Sequence, residues 1–245
     1  MSEIRIGIGG WTFEPWRGAF YPEGLAQKRE LEYASGQLTS IEINGTFYGS
    51  QKPESFIKWH DETPDDFVFA LKGPRFATNR RVLAEAGESV MRFLDSGVME
   101  LKNKLGPINW QMAPTKKFDA EDFGAFLALL PPSHQGRALR HAIEVRHDSF
   151  CVPEAIDLAR KHGVALVLAG DSKYPLIEQP TASFVYARIM GSSDAQPLGY
   201  DEAALDDWAA KMRGWAEAGR DVFLYVISGA KQLNPAAAMA LIKRI

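Results

Sequence analysis

The chain has 245 residues, 46% of them hydrophobic and 24% charged, with a net charge of −3 and a single cysteine. This size and composition suit a well-packed globule, either one α/β barrel or two small domains. The scattered charge argues against nucleic acid as a partner, one cysteine excludes an internal disulfide, and no apolar run approaches the ~20 residues of a membrane helix.

From Met1-Ser2-Glu3 the chain passes straight into a strand-like run without the pattern of a signal peptide, and a cytoplasmic location is expected. Ile4–Gly9 (IRIGIG) is the first predicted strand. The stretch GGWTFEPWRGAFYP follows, and its five aromatics and its glycines fit neither a helical nor a strand period, so it is expected to be a loop. Gly24–Ala34 carries helix formers, Ser40–Asn44 (SIEIN) is a second strand, and Pro53 opens the helical run ESFIKWHDE. Phe67–Lys72 (FVFALK) is a third strand, followed by a helical stretch over Val82–Lys102. Pro107–Met112 and His141–Arg146 are the fourth and fifth strands, with helices expected over Ala120–Leu130 and Pro153–His162. Val164–Leu168 is the sixth strand and leads into a long loop. Ser183–Ile189 and Val222–Ile227 complete the set, with helices over Glu202–Ala218 and Pro235–Arg244.

Strand–helix alternation of this kind calls for a parallel sheet. Without a linker or a sequence repeat, residues 1–245 are expected to form a single (β/α)8 TIM-type barrel, irregular after its sixth strand. A doubly wound open sheet is the alternative. It would need a Gly-x-Gly-x-x-Gly loop opening a helix, which Gly7-Ile8-Gly9-Gly10-Trp11 does not supply.

In such barrels chemistry collects at the C-terminal ends of the strands. Those ends carry Glu42, Asn44 and Tyr48 around strand two, Lys72 on strand three and Gln111 on strand four. Glu144, Arg146 and His147 close strand five, Asp171 follows strand six, Arg188 and Gly191 end strand seven, and Ser228 and Gly229 follow strand eight. By the two-residue strand period, Glu42 and Asn44 share one face, as do Glu144 and Arg146, leaving Ile41, Ile43, Ile143 and Val145 for the helices. Glu42, Glu144 and His147 are the candidate acid/base residues. Two structural alternatives stand beside them: an ion network plugging the barrel top, and a turn-capping role for His147. Glu42, Glu144 and Asp171 could together hold a divalent cation, but no His-x-His or His-Glu-x-x-His spacing supports this, so neither metal nor cofactor is expected. Cys151 is expected to be packed rather than nucleophilic. In the opening loop, Trp11, Trp16 and Tyr21 could offer faces to a sugar ring or plug the barrel rim. The small residues Gly191, Ser228 and Gly229 could let backbone N–H groups cradle a phosphate.

Several of these residues recur in a pattern. Gly9-Gly10-Trp11, Trp16-x-Gly18-x-Phe20-Tyr21-Pro22, Glu42-Ile43-Asn44-x-Thr46-Phe47-Tyr48, Phe69-x-x-Lys72 and Glu144-x-Arg146-His147-x-Ser149-Phe150 resemble the YecE-like family of uncharacterised proteins. The resemblance implies a TIM barrel without an established activity. Where that family has Tyr-Phe-Asn-Asn after strand eight, this chain has Tyr225-Val226-Ile227-Ser228-Gly229, which makes it a divergent member.

Three functions remain in view. The first is an enzyme acting on a small polar anionic ligand, such as a sugar or sugar phosphate, through carboxylate acid/base chemistry, with Lys72, Arg146 and Arg188 holding the anion. The others are a non-catalytic ligand- or partner-binding barrel and a metal-dependent phosphoesterase. A small molecule, rather than nucleic acid or a membrane, is the expected partner in the first.

Overall fold

In the computed structural model, which describes residues 2–245, eight parallel strands line up along one sheet. They are β1 (Ile4–Gly9), β2 (Ser40–Ile43), β3 (Val68–Lys72), β4 (Leu105–Gln111) and β5 (His141–Glu144). These are followed by β6 in two segments (Ala165–Leu166 and Leu168–Gly170), β7 (Phe184–Ile189) and β8 (Asp221–Val226). Pairing runs from the first segment of β6 through β5, β4, β3, β2, β1, β8 and β7 to the second segment of β6. Only Val167 separates those two edge segments, and its N–H donates to the Ile143 carbonyl at 2.9 Å. The sheet therefore returns on itself as a TIM-type barrel.

Strand period decides what fills it. Ile41, Ile43, Ile143 and Val145 point outward and are buried in one apolar core with Leu31, Phe56 and Phe123. The helices over Glu30–Gln37, Pro53–Asp61 and Ala120–Ala128 supply these partners. Each such fully buried side chain contributes about 1.5–3 kcal/mol. Ala70, Ala142, Tyr186, Phe223 and Tyr225 make a second cluster from the inward positions. Small alanines on β3 and β5 leave room for the two tyrosines, and the Tyr225 hydroxyl lies 2.8 Å from Ser40 Oγ. At Gly7 the strands come so close that a Cβ would sit 1.9 Å from the Ser40 carbonyl oxygen, which only glycine allows.

The expected long loop after strand six is present, with no helix between Gly170 and Phe184. Elsewhere the boundaries shift. The helical stretch expected over Val82–Lys102 is broken into a 3-10 turn (Leu83–Ala86), an α-helix (Gly87–Leu94) and a second 3-10 run (Val98–Lys104). Gly97, at φ 108°, makes the break, and a Cβ there would lie 2.7 Å from Pro53 Cα. The helix expected from Gly24 starts only at Glu30, because Pro22 and the left-handed Gly24 hold the preceding chain in turns. A small hairpin, Ser133–His134 with Arg137–Ala138, turns on Gln135 and Gly136, both at positive φ, and has no counterpart in the expected elements. Among the described residues, no helix is long and apolar enough to cross a membrane.

Candidate functional site

The inward positions at the C-terminal ends of β2, β4, β5 and β7 form a buried polar layer. Glu42 accepts from the Tyr186 hydroxyl at 2.6 Å and from Arg188 Nη2 at 3.0 Å. Glu144 accepts from Arg146 Nε at 2.7 Å and Nη2 at 2.6 Å, and its other oxygen from Arg188 Nη1. Arg188 thus bridges both carboxylates, and the Asn109 amide nitrogen lies 3.5 Å from each. Both glutamates are fully buried. Burial alone would raise the pKa of Glu144, but Arg188, Arg146 and Lys72 hold it below the ordinary carboxylate range. Tyr186 is pushed well above the usual phenol value by burial and by the Glu42 charge, so it stays a donor. Two buried atoms of this layer, Arg188 Nε and Asn109 Oδ1, have no partner among the described residues.

Above this layer opens a cavity of about 690 Å³. Lys72, Arg146 and Arg188 all reach its wall. With the two carboxylates beneath, these three cations leave one positive charge in excess, and the exposed Lys231 in the same lining adds another. Lys72 Nζ donates to Gln111 Oε1 at 2.6 Å and lies 4.2 Å from the centre of the Phe47 ring. Burial, reinforced by the charge of Arg188, lowers the Lys72 pKa to about 8. The Arg146 guanidinium stacks 4.3 Å over the Tyr174 ring. Trp11, in the same lining, meets Trp59 edge-on at 5.3 Å, and Tyr48 stands 68% exposed at the rim. Gly9 borders the cavity beside Asn44, whose amide nitrogen would lie 2.7 Å from any Cβ there. Ser228, held at φ 59°, completes the rim with Asn234, whose amide donates to the Ser228 carbonyl at 3.1 Å.

Trp11, Asn44, Tyr48, Lys72 and Gln111 therefore share one cavity, together with Arg146, Arg188 and Ser228. Other expected residues lie elsewhere. Glu42 and Glu144 sit under the wall, committed to guanidinium groups rather than facing the cavity. His147 caps the turn Asp148–Phe150, its Nδ1 accepting from the Ser149 N–H at 3.1 Å. Trp16 and Tyr21 are buried as a plug: Trp16 Nε1 donates to the Lys231 carbonyl at 3.0 Å, and the Tyr21 hydroxyl donates to the Trp11 carbonyl. Asp171 does not join the two glutamates, because it accepts from Trp208 Nε1 at 2.9 Å. Among the described residues no three His, Cys, Asp or Glu side chains are placed to hold a metal ion, so Glu42, Glu144 and Asp171 do not form the trio that could have held a cation. The backbone cradle at strands seven and eight is likewise closed. Gly191 N–H donates to the Tyr200 hydroxyl at 2.8 Å, and Gly229 packs so tightly on Ser192 that a Cβ would fall 2.4 Å from its carbonyl oxygen. Cys151 is exposed rather than packed, and partial desolvation of its thiol together with the Asp148 charge raises its pKa, which lowers its reactivity.

Asn109, Tyr186, Trp59 and Asn234 belong to the site without having been expected there. Asn109 and Tyr186 were within reach of strand period, since Asn109 alternates with Gln111 and Tyr186 with Arg188. Trp59 and Asn234 come from helices, whose inward turns give no such signal.

Comparison with known proteins follows the same lines. The chain is 28% identical over 150 residues to the UPF0759 protein YecE of Escherichia coli (strain K12), a match covering 60% of this chain and 50% of that protein. It is 26% identical over 155 residues to the UPF0759 protein YunF of Bacillus subtilis (strain 168), covering 61% and 53%. The chain spans about half the length of the curated relatives it matches. Its fold is similar to the crystal structure of a DUF72 family protein from Thermotoga maritima MSB8, with a TM-score of 0.81 at 22% identity over 98% of both chains. Residues 5–245 match the family described as Protein of unknown function DUF72, and to that family the chain belongs.

Proposed function

We propose that the cavity binds a small polar anion of the sugar-phosphate or sugar-acid class. Lys72 and Arg146 would take the anionic group, and the faces of Trp11 and Tyr48 the carbon skeleton. One observation carries this reading. Four cations, Lys72, Arg146, Arg188 and Lys231, line one cavity, while the two carboxylates that neutralise part of their charge lie beneath it and turn away. In a partly desolvated cleft an excess positive charge attracts an anion far more strongly than it would on an open surface. The glutamates then serve to fix the guanidinium planes, and Glu144, whose pKa is lowered by Arg188 and Arg146, is a poor proton carrier near neutral pH. Should the site turn over its ligand, proton transfer falls to Lys72, which the lowered pKa of about 8 favours.

The test is calorimetric titration with inorganic phosphate and a set of sugar phosphates at low salt. Binding is expected to weaken at least tenfold in Arg146→Met and to weaken further as salt screens the charges. Absence of binding at millimolar ligand in the unaltered chain would overturn the reading.

A further inference from the structure

Among the cations of the cavity, Lys72 is set apart by its partner. Arg188 and Arg146 occupy both buried carboxylates, and Lys72 is left with the neutral amide oxygen of Gln111. Its stem is buried on β3, its ammonium rests on the Phe47 ring, and among the described residues it forms no ion pair. Lys231, the other lysine on the wall, differs: it is exposed at the rim with its ammonium 4.1 Å over the Phe13 ring. An amine without a counter-ion, beside two fixed guanidinium groups, is disposed to lose its proton and to attack an electrophile that those guanidiniums have oriented.

Resting on the anion-binding reading above, we infer that Lys72 is a nucleophile that forms an imine with a small anionic aldehyde or ketone. Arg146, with Arg188 behind it, holds the anionic group of such a ligand, and Lys72, which shares in holding a simple anion, is here presented with the carbonyl carbon instead. The chemistry closes without a further reagent. Nζ gives up a proton to solvent and adds its lone pair to the carbonyl carbon, and the C=O π pair goes to oxygen, which is protonated. Loss of water from the carbinolamine then gives the C=N bond, and hydrolysis reverses each step. The lowered pKa of Lys72, about 8, means that a useful fraction of the amine is neutral in mildly basic solution. Gln111 is suited to the task because its amide oxygen orients the amine without fixing a positive charge on it, as a carboxylate would.

The inference is tested on the full chain by incubation with pyruvate or dihydroxyacetone phosphate in the presence of cyanoborohydride, which reduces an imine to a stable amine. Intact mass and peptide mapping follow. One adduct per chain at Lys72 is expected, at least tenfold above that at any exposed lysine. Hydroxyacetone, which lacks the anion, should label at least tenfold less. Lys72→Arg keeps the charge but not the nucleophile, and it should lose the adduct while circular dichroism shows it folded. Labelling spread over surface lysines, or centred on Lys231, overturns the inference, as does equal labelling by the neutral ketone. If phosphate binds but Lys72 is never trapped, the imine fails and anion binding stands. If phosphate does not bind either, both fail.

Discussion

Replacing Glu144 by Gln removes one charge from beneath the cavity while keeping the side chain's shape. Glu144 is fully buried and touches two guanidinium groups, that of Arg188 being just 4% exposed and that of Arg146 15%. A glutamine retains one acceptor oxygen, and its amide N–H₂ must then face a guanidinium, donor against donor. Breaking one side of a buried ion pair costs about 3–5 kcal/mol, because the partner charge stays buried without compensation. For a domain of this size each kcal/mol moves Tm by about 2–4 °C, so the variant should melt about 6–20 °C lower. The effect has a pH signature. The folded-state pKa of Glu144 lies below its ordinary value of 4.5, so its stabilisation is full above 4.5 and is lost as pH falls through the folded value. The gap between unaltered chain and variant is therefore widest near neutral pH and closes in acid. Calorimetric melts from pH 3 to pH 8 measure it. A drop of less than about 2 °C at pH 7 would refute the network, and would return Glu144 to the role of a free acid/base residue.

Gly7→Ala should fail to reach the native barrel or lose more than about 3 kcal/mol, since its Cβ would sit 1.9 Å from the Ser40 carbonyl oxygen; circular dichroism and a melt decide. His147→Ala should lose only about 1 kcal/mol, the worth of a cap, and leave phosphate affinity unchanged; a tenfold loss of affinity would put His147 in the site after all. Lys72→Met should change how stability depends on pH. The fold lowers the Lys72 pKa from 10.5 to about 8, so keeping it charged is a penalty present below 8 and relieved as pH rises toward 10.5. The unaltered chain should accordingly gain on the order of 3 kcal/mol relative to Lys72→Met between pH 7.5 and 10.5, and parallel pH profiles would contradict the lowered pKa.

Much of this site was legible because strand period and barrel topology act together. Once Ile41 and Ile43 are assigned to the helices, Glu42 must face inward, and the same step on β5 sends Glu144 inward beside Arg188. What the spacing could not give was direction above or below the cavity wall. Glu42 and Glu144 stop beneath it because Arg188 reaches between them, a contact across 146 and 44 residues of chain. The opening loop divides for a similar reason. Trp16 and Tyr21 find backbone carbonyls at Lys231 and Trp11 and turn into the core, whereas Trp11 is turned outward against Trp59. Nor did composition distinguish small residues that approach an anion from those that approach their own chain. Gly191 and Gly229 are of the second kind, closed by Tyr200 and Ser192. His147 was poised between two roles, and the local Ser149 N–H, two residues on, decides for the cap.

The central claim is that the cations on the cavity wall bind an anion. Its most direct measurement is a crystal structure of the chain soaked with a sugar phosphate, or with sulfate as a stand-in. The account predicts the anion within hydrogen-bond distance of Arg146 and Lys72, above the Glu42–Arg188–Glu144 layer and beside Trp11. An anion lodged instead at the Gly191 and Gly229 loops, or a cavity wall without one at saturating ligand, would contradict it.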